Sequence, residues 1–194
     1  MRSLSVFAAT LTVATAVGTA IVSPASASSS PTDGVGQEAT GGENCVVHLS
    51  SNNSVKCFDT FTEAIADATA GRITNAPRDA RSAMADSGLD RRLNGLGTAG
   101  PGIVLAIEYA DSDYAGRHNI YTGSAGCDND DGVEWRVESL GSFNDMITSF
   151  RNYADCQANH YEHIDFEGAS TGWLNDTPNI GEAMNDQTSS IQWR

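Results

Sequence analysis

Two stretches near the C-terminus, FNDMITSF at residues 143 to 150 and MNDQTSSIQW at residues 184 to 193, carry the same order of oxygen-bearing side chains. Each reads Asn-Asp, two variable positions, Thr or Ser, then Ser. Asn144, Asp145 and Thr148 make one set, and Asn185, Asp186 and Ser189 the other. Carboxylate, carboxamide and hydroxyl oxygens, with no sulfur or imidazole among them, are the donors of a hard cation. Calcium takes six to eight such oxygens at about 2.3 to 2.6 Å, completed by main-chain carbonyls and water. One such hexapeptide arises by chance on the order of once per ten thousand positions, so two copies in register point to a duplicated device. The competing structural role is turn closure, in which Asn, Asp and Ser side chains bond to nearby backbone. Met146 offers no oxygen where Gln187 does.

Other constellations are weaker. HYEH at 160 to 163 has a zinc-like composition, but residues three apart on a strand face opposite sides, so His160 and His163 are expected as partly exposed strand histidines. DNDDG at 128 to 132 shares composition with a calcium loop of the EF-hand kind. Counted from Asp128, the sixth position is Val133 rather than Gly and the twelfth is Ser139 rather than Glu, which leaves a solvated acidic loop. No G-x-S-x-G occurs and no Ser or Cys stands out as a nucleophile, so no enzymatic activity is expected.

The elements that position the paired stretches follow from a second repeat. YADSDYAG at 109 to 116 and YEHIDFEG at 161 to 168 share Tyr, four residues, Tyr or Phe, one residue, and Gly. Each is followed, after one or two β-type runs, by N-D-x-x-S/T-S. Short runs of that type, IVLAIEYA, HNIYTG, EWRVESL, ITSFRNY, ANHYEHI, STGWLN and SSIQWR, recur with turn residues between them and predict a small all-β sandwich over residues 103 to 194.

This order of aromatic pair, hairpin glycine, Asn-Asp arch and Ser resembles the βγ-crystallin Greek-key motif, over about half of the chain that remains once a leader is removed. The resemblance implies a sandwich of two Greek keys, with Gly116 and Gly168 at positive φ and the pairs Tyr109/Tyr114 and Tyr161/Phe166 packed over folded hairpins. Trp135, Phe150, Trp173, Ile191 and Trp193 are candidate core residues. It further implies two calcium ions, each between the arch of one repeat and the hydroxyl of the other. One site would use Asn144, Asp145 and Ser189 with the carbonyl of Ala110 or its neighbour, and the second Asn185, Asp186 and Thr148 with the carbonyl of Glu162. Either member of each Asn-Asp pair can ligate by side chain. The sequence is also similar to small secreted microbial metalloproteinase inhibitors of the same fold. That implies a peptidase as an alternative partner, with TGSAGCDNDDGVEW as the inserting loop.

Residues 1 to 27 read as a secretory signal peptide: Arg2, an apolar run, and ASA at 25 to 27. Residues 28 to 43 read as a flexible linker. Loss of Arg2, one positive charge and no acid, takes the net charge from −14 to −15. Ten Lys plus Arg against 25 acids exclude a nucleic-acid partner and favour cations. No membrane association is expected after cleavage. Four cysteines in an exported chain predict two disulfides. CVVHLSSNNSVKC reads as a hairpin, which pairs Cys45 with Cys57 and leaves Cys127 with Cys156. Residues 44 to 94 are expected as a small unit of that hairpin plus helix, opened by the capping box TFTE at 60 to 63. It is too small to bury much core of its own. GLGTAGPG at 95 to 102 reads as a joint to the sandwich.

Overall fold

The computed structural model describes residues 44–97, 99–128 and 132–194. The signal peptide and linker expected over residues 1 to 43 lie outside the described residues, as do residues 129–131 of DNDDG. Strands β1 (Asn44–His48) and β2 (Ser54–Phe58) form the expected hairpin, in a register that sets Cys45 opposite Cys57. These two cysteines are bonded, with Cα atoms 4.0 Å apart, and Cys127 is bonded to Cys156. Asn52 and Asn53 turn the hairpin at φ 53° and 55°, a region their short polar side chains tolerate better than most residues do.

Helix α1 (Phe61–Ala68) begins where the capping box places it. The Thr60 hydroxyl oxygen accepts from the Glu63 amide at 3.2 Å, and the Glu63 carboxylate accepts from the Thr60 amide at 3.1 Å. Phe61, Ala64, Ile65 and Ala68, spaced at helical intervals, are its buried face. Helices α2 (Ala80–Met84) and α3 (Ser87–Asn94) are capped by the carboxylates of Asp79 and Asp86.

Strands β3 (Ala99–Asp111) and β4 (Ala115–Ala125) pair antiparallel, and β1 adds to β4 in parallel, from Asn44 opposite His118 to His48 opposite Thr122. With β6 (Ser149–Asn152) on the far side of β3, the first sheet runs β2-β1-β4-β3-β6. A second sheet is ordered β5-β8-β7, from β5 (Trp135–Val137), β7 (Ala158–Tyr161) and β8 (Ser190–Trp193). Residues 44 to 94 therefore do not stand apart from residues 103 to 194. The described residues fall in one compact unit, and the expected joint runs directly into β3.

The physical reason is alternation along β1. Val46 faces the helices, in a cluster with Phe61, Ile65, Leu89, Leu93, Val104 and Ile120. Val47 faces the other way, into the core between the sheets with Leu105, Tyr121, Phe150, Ile191 and Trp193. A segment too short for its own core thus shares both faces of a larger sheet, giving three layers: helices, five-stranded sheet, three-stranded sheet. Phe150, Ile191 and Trp193 are fully buried as expected, and Trp135 packs at the margin of that core. Trp173 differs: it is half-buried, with the Arg194 guanidinium 4.6 Å above its ring, because residues 170–175 form isolated bridges rather than a strand.

Candidate metal centre

Each repeat sends its third extended segment to the other repeat's sheet. β5 joins β8 with Val137 opposite Ile191, and reciprocally Thr177 exchanges backbone hydrogen bonds with Phe150 on β6. The chain between that segment and the last strand must cross from one sheet to the other. Residues 140–148 and 180–189 make this crossing in opposite senses. Their anchoring bonds match pairwise: the Leu140 amide donates to the Ser189 carbonyl at 3.0 Å, and the Ile180 amide to the Thr148 carbonyl at 2.8 Å.

Two arches therefore cross. The Asp145 amide donates to the Thr188 carbonyl at 3.0 Å, and the Asp186 amide to the Ile147 carbonyl at 3.2 Å. Both aspartates are in the left-handed region, at φ 55° and 54°, which turns their carboxylates outward at the crest. The result joins the carboxylate of one arch to the hydroxyl of the other: Ser189 Oγ lies 3.4 Å from Asp145 Oδ1, and Thr148 Oγ1 lies 3.4 Å from Asp186 Oδ1. Thr148 and Ser189 are buried, Asn144 and Asn185 half-buried, and Asp145 and Asp186 exposed.

That spacing bears on what the pairs can hold. A hydroxyl satisfied by a carboxylate approaches to about 2.5 to 2.7 Å, much closer than these do. Two oxygens bound at right angles to one calcium ion stand about 3.3 to 3.7 Å apart, from ion-oxygen distances of about 2.3 to 2.6 Å. The Ser189 and Thr148 hydroxyls thus donate long hydrogen bonds to these carboxylates, at a separation that two ligands of one calcium ion also have, and the donor set is wholly oxygen. Among the described residues no three His, Cys, Asp or Glu side chains gather as a metal site. Each arch supplies one crest carboxylate accompanied by neutral oxygens.

The hairpin main chain meets the strand that follows each arch. The Thr148 amide donates to the Tyr109 carbonyl at 2.9 Å, and the Ser189 amide to the Tyr161 carbonyl at 2.8 Å. Ala110, next in sequence to Tyr109, therefore lies towards the Thr148 end of the crossing, and Glu162, next to Tyr161, towards the Ser189 end. Asn185 turns inward within its own arch, donating from Nδ2 to Asp186 Oδ2 at 2.9 Å.

The last Ser of each motif has a separate task. Ser149 Oγ donates to the Asp111 carbonyl at 2.6 Å and accepts from the Tyr114 amide at 3.1 Å. Ser190 Oγ does the same with the His163 carbonyl at 2.6 Å and the Phe166 amide at 3.0 Å. These bonds clamp the folded hairpins. Gly116 and Gly168 sit at φ 78° and 81° in them, and a side chain at Gly116 would collide with the Asp111 carboxylate. The aromatic pairs lie edge to face above, with centroids 5.9 Å apart for Tyr109/Tyr114 and 5.7 Å for Tyr161/Phe166.

Between the sheets lies a pair that the sequence reading missed. His160 Nε2 is 3.0 Å from Glu108 Oε2, and both side chains are fully buried, so His160 is not the partly exposed residue expected. His163 is exposed and does not converge with it. Each member immediately precedes the hairpin Tyr of its repeat, so equivalent positions touch across the pseudo-twofold axis. Burial pushes the Glu108 carboxyl above its ordinary range, partly offset by His160. The signal available in the sequence was the polar residue inside the apolar run IVLAIEYA, aligned with His in ANHYEHI.

No protein-family model matches the chain, and no curated protein does. Among solved structures, it is similar to a βγ-crystallin domain from Clostridium beijerinckii, 22% identical over 46% of this chain and 95% of that domain, with a TM-score of 0.35. A βγ-crystallin domain from Flavobacterium johnsoniae is 26% identical over 46% of this chain and 93% of its own, with a TM-score of 0.34. Among the described residues no helix is long and apolar enough to cross a membrane.

Proposed function

We propose that this is a secreted, non-enzymatic calcium-binding protein of the βγ-crystallin type, with two sites at the crossed arches. The observation that carries the reading is the pair of matched 3.4 Å separations, Asp145 to Ser189 and Asp186 to Thr148. One site takes Asn144, Asp145 and Ser189 with the Glu162 carbonyl beside them, and the other Asn185, Asp186 and Thr148 with the Ala110 carbonyl. Bound calcium would supply a cross-link of positive charge between two chain segments. The arches orient the crest carboxylates, and the buried hydroxyls fix the base of each site. Because each site draws on both repeats, occupancy ties the two sheets together and stabilises the sandwich, by about 2.7 kcal/mol for each site at a hundredfold excess over its dissociation constant.

Calorimetric titration of the EGTA-stripped protein tests the reading. Calcium should bind with measurable heat and raise the melting temperature, and an unchanged melting temperature with no heat would remove it. Crossing has its own test. Ser189→Ala should damage binding at Asn144 and Asp145, whereas arches acting independently would lose binding at Asn185 and Asp186.

A further inference from the structure

The helical layer meets the first folded hairpin at a charged cleft. Among the described residues, α-helices occur only between residues 61 and 94, packed on one face of the first sheet. Where the starts of α1 and α2 approach the turn between β3 and β4, a cleft of about 500 Å³ remains, a size usual for small-molecule sites. Its charged lining comes from three places: Asp59 before α1, Arg78, Asp79 and Arg81 at the start of α2, and Asp111 in the hairpin. Local bonds fix these segments. The Arg78 carbonyl accepts from the Phe61 amide at 3.0 Å, Asp79 caps α2 by accepting from the Ser82 amide at 2.8 Å, and the Asp111 carboxylate lies across Gly116, where a Cβ would stand 2.5 Å from Oδ2.

Most of the charged groups themselves are not spent in this way. Among the described residues, the Arg78 and Arg81 guanidiniums and the Asp59 and Asp111 carboxylates take part in no ion pair. Opposite charges that share a cleft without closing on one another leave room for a molecule that carries both signs. With three acids and two guanidiniums in the lining, an anion alone would meet surplus carboxylates and a cation alone would meet the arginines. His118, 2% exposed, is the most buried residue of the lining. Its Nδ1 lies 3.3 Å from the Gly116 carbonyl, which can only accept, so Nδ1 carries the proton and Nε2 presents a lone pair with no hydrogen-bond partner.

We propose that this cleft binds a free α-amino acid, with Arg78 and Arg81 on its carboxylate and Asp59 and Asp111 on its ammonium group. The guanidinium fork matches a carboxylate in a bidentate manner. An ammonium group brings three donors, enough for both carboxylates and one further acceptor of the lining. All four charged residues are exposed, so the affinity is weak, about millimolar. No residue of either arch lines the cleft, so amino-acid binding is independent of calcium.

The test titrates L-alanine into the full-length mature chain in EGTA and follows the His118 ring and the Asp59, Arg78, Asp111 and Gly116 amide resonances. These should shift together and saturate by about 100 mM, a hundredfold above a millimolar dissociation constant. N-acetyl-L-alanine, which lacks the ammonium group, and L-alaninamide, which lacks the carboxylate, should each bind at least about tenfold more weakly. Arg78→Gln combined with Arg81→Gln should lose the response and keep the parent's melting temperature, since neither guanidinium is in an ion pair of the fold. Arg136→Gln, on β5 and outside the cleft, should bind as the parent does. No saturable shift in the parent, equal binding of L-alanine and either analogue, or a double variant that binds at parental strength would each overturn the proposal.

Discussion

Acidification from pH 7 to pH 4 should unfold this protein partly through one residue, His118. Its side chain is buried between Phe61 and Tyr109, with ring centroids at 5.3 and 5.6 Å, and Nδ1 lies 3.3 Å from the Gly116 carbonyl. Burial drives its pKa down from 6.5 to about 4, the Gly116 carbonyl opposing weakly. A base whose folded pKa is depressed binds its proton more readily in the unfolded chain. Its contribution to stability is present above about pH 6.5 and is lost as pH falls towards 4. Linkage between those two values gives a loss of about 2 kcal/mol at pH 5 and about 3 kcal/mol at pH 4. Urea unfolding at half-unit pH steps measures this directly when the parent is compared with His118→Phe, which keeps an aromatic ring and cannot titrate. The parent-minus-variant difference should change by these amounts, isolating His118 from Glu108 and Asp176, whose raised pKa values act in the opposite direction. A difference that stays flat between pH 7 and pH 4, or a His118 titration by NMR near 6.5, would refute the reasoning.

The hairpin clamps and the buried pair can be probed by the same unfolding measurements. Ser190→Ala removes two bonds to hairpin backbone, at His163 and Phe166, and should cost about 2 kcal/mol in calcium-free buffer, as should Ser149→Ala at Asp111 and Tyr114. If these serines were ion ligands instead, the loss would appear only with calcium present. Glu108→Leu leaves His160 without its partner and should cost about 3 to 5 kcal/mol, whereas replacing both with apolar residues of similar volume should recover most of that loss. A double variant as weak as the single would show that shape at the axis, rather than charge pairing, sets the cost.

Much was legible in the residues because it depends on local chemistry. The capping box at Thr60 and Glu63, the turn at Asn52 and Asn53, the Cys45–Cys57 bond and the hairpin glycines are all settled within a dozen residues of chain. The duplicated hairpin and arch revealed two repeats for the same reason: a turn that needs positive φ or an Asn-Asp crest leaves its mark in residue type.

What required the tertiary structure were the partnerships between distant segments. A β-run in the sequence carries no record of which strand lies beside it, so β1 could not be seen to join β4 and fuse residues 44 to 94 to the sandwich. The same gap hid which hairpin meets which arch, because the bonds from Thr148 to Tyr109 and from Ser189 to Tyr161 depend on sheet register. Glu108 and His160 were invisible as a pair for the same reason, lying 52 residues apart and touching only where the pseudo-twofold axis passes. The chain itself thus determined the oxygen donors and the turns that present them. Long-range register decided which donors face each other, since side-chain separation across two packed sheets is set by strand pairing and not by order along the chain.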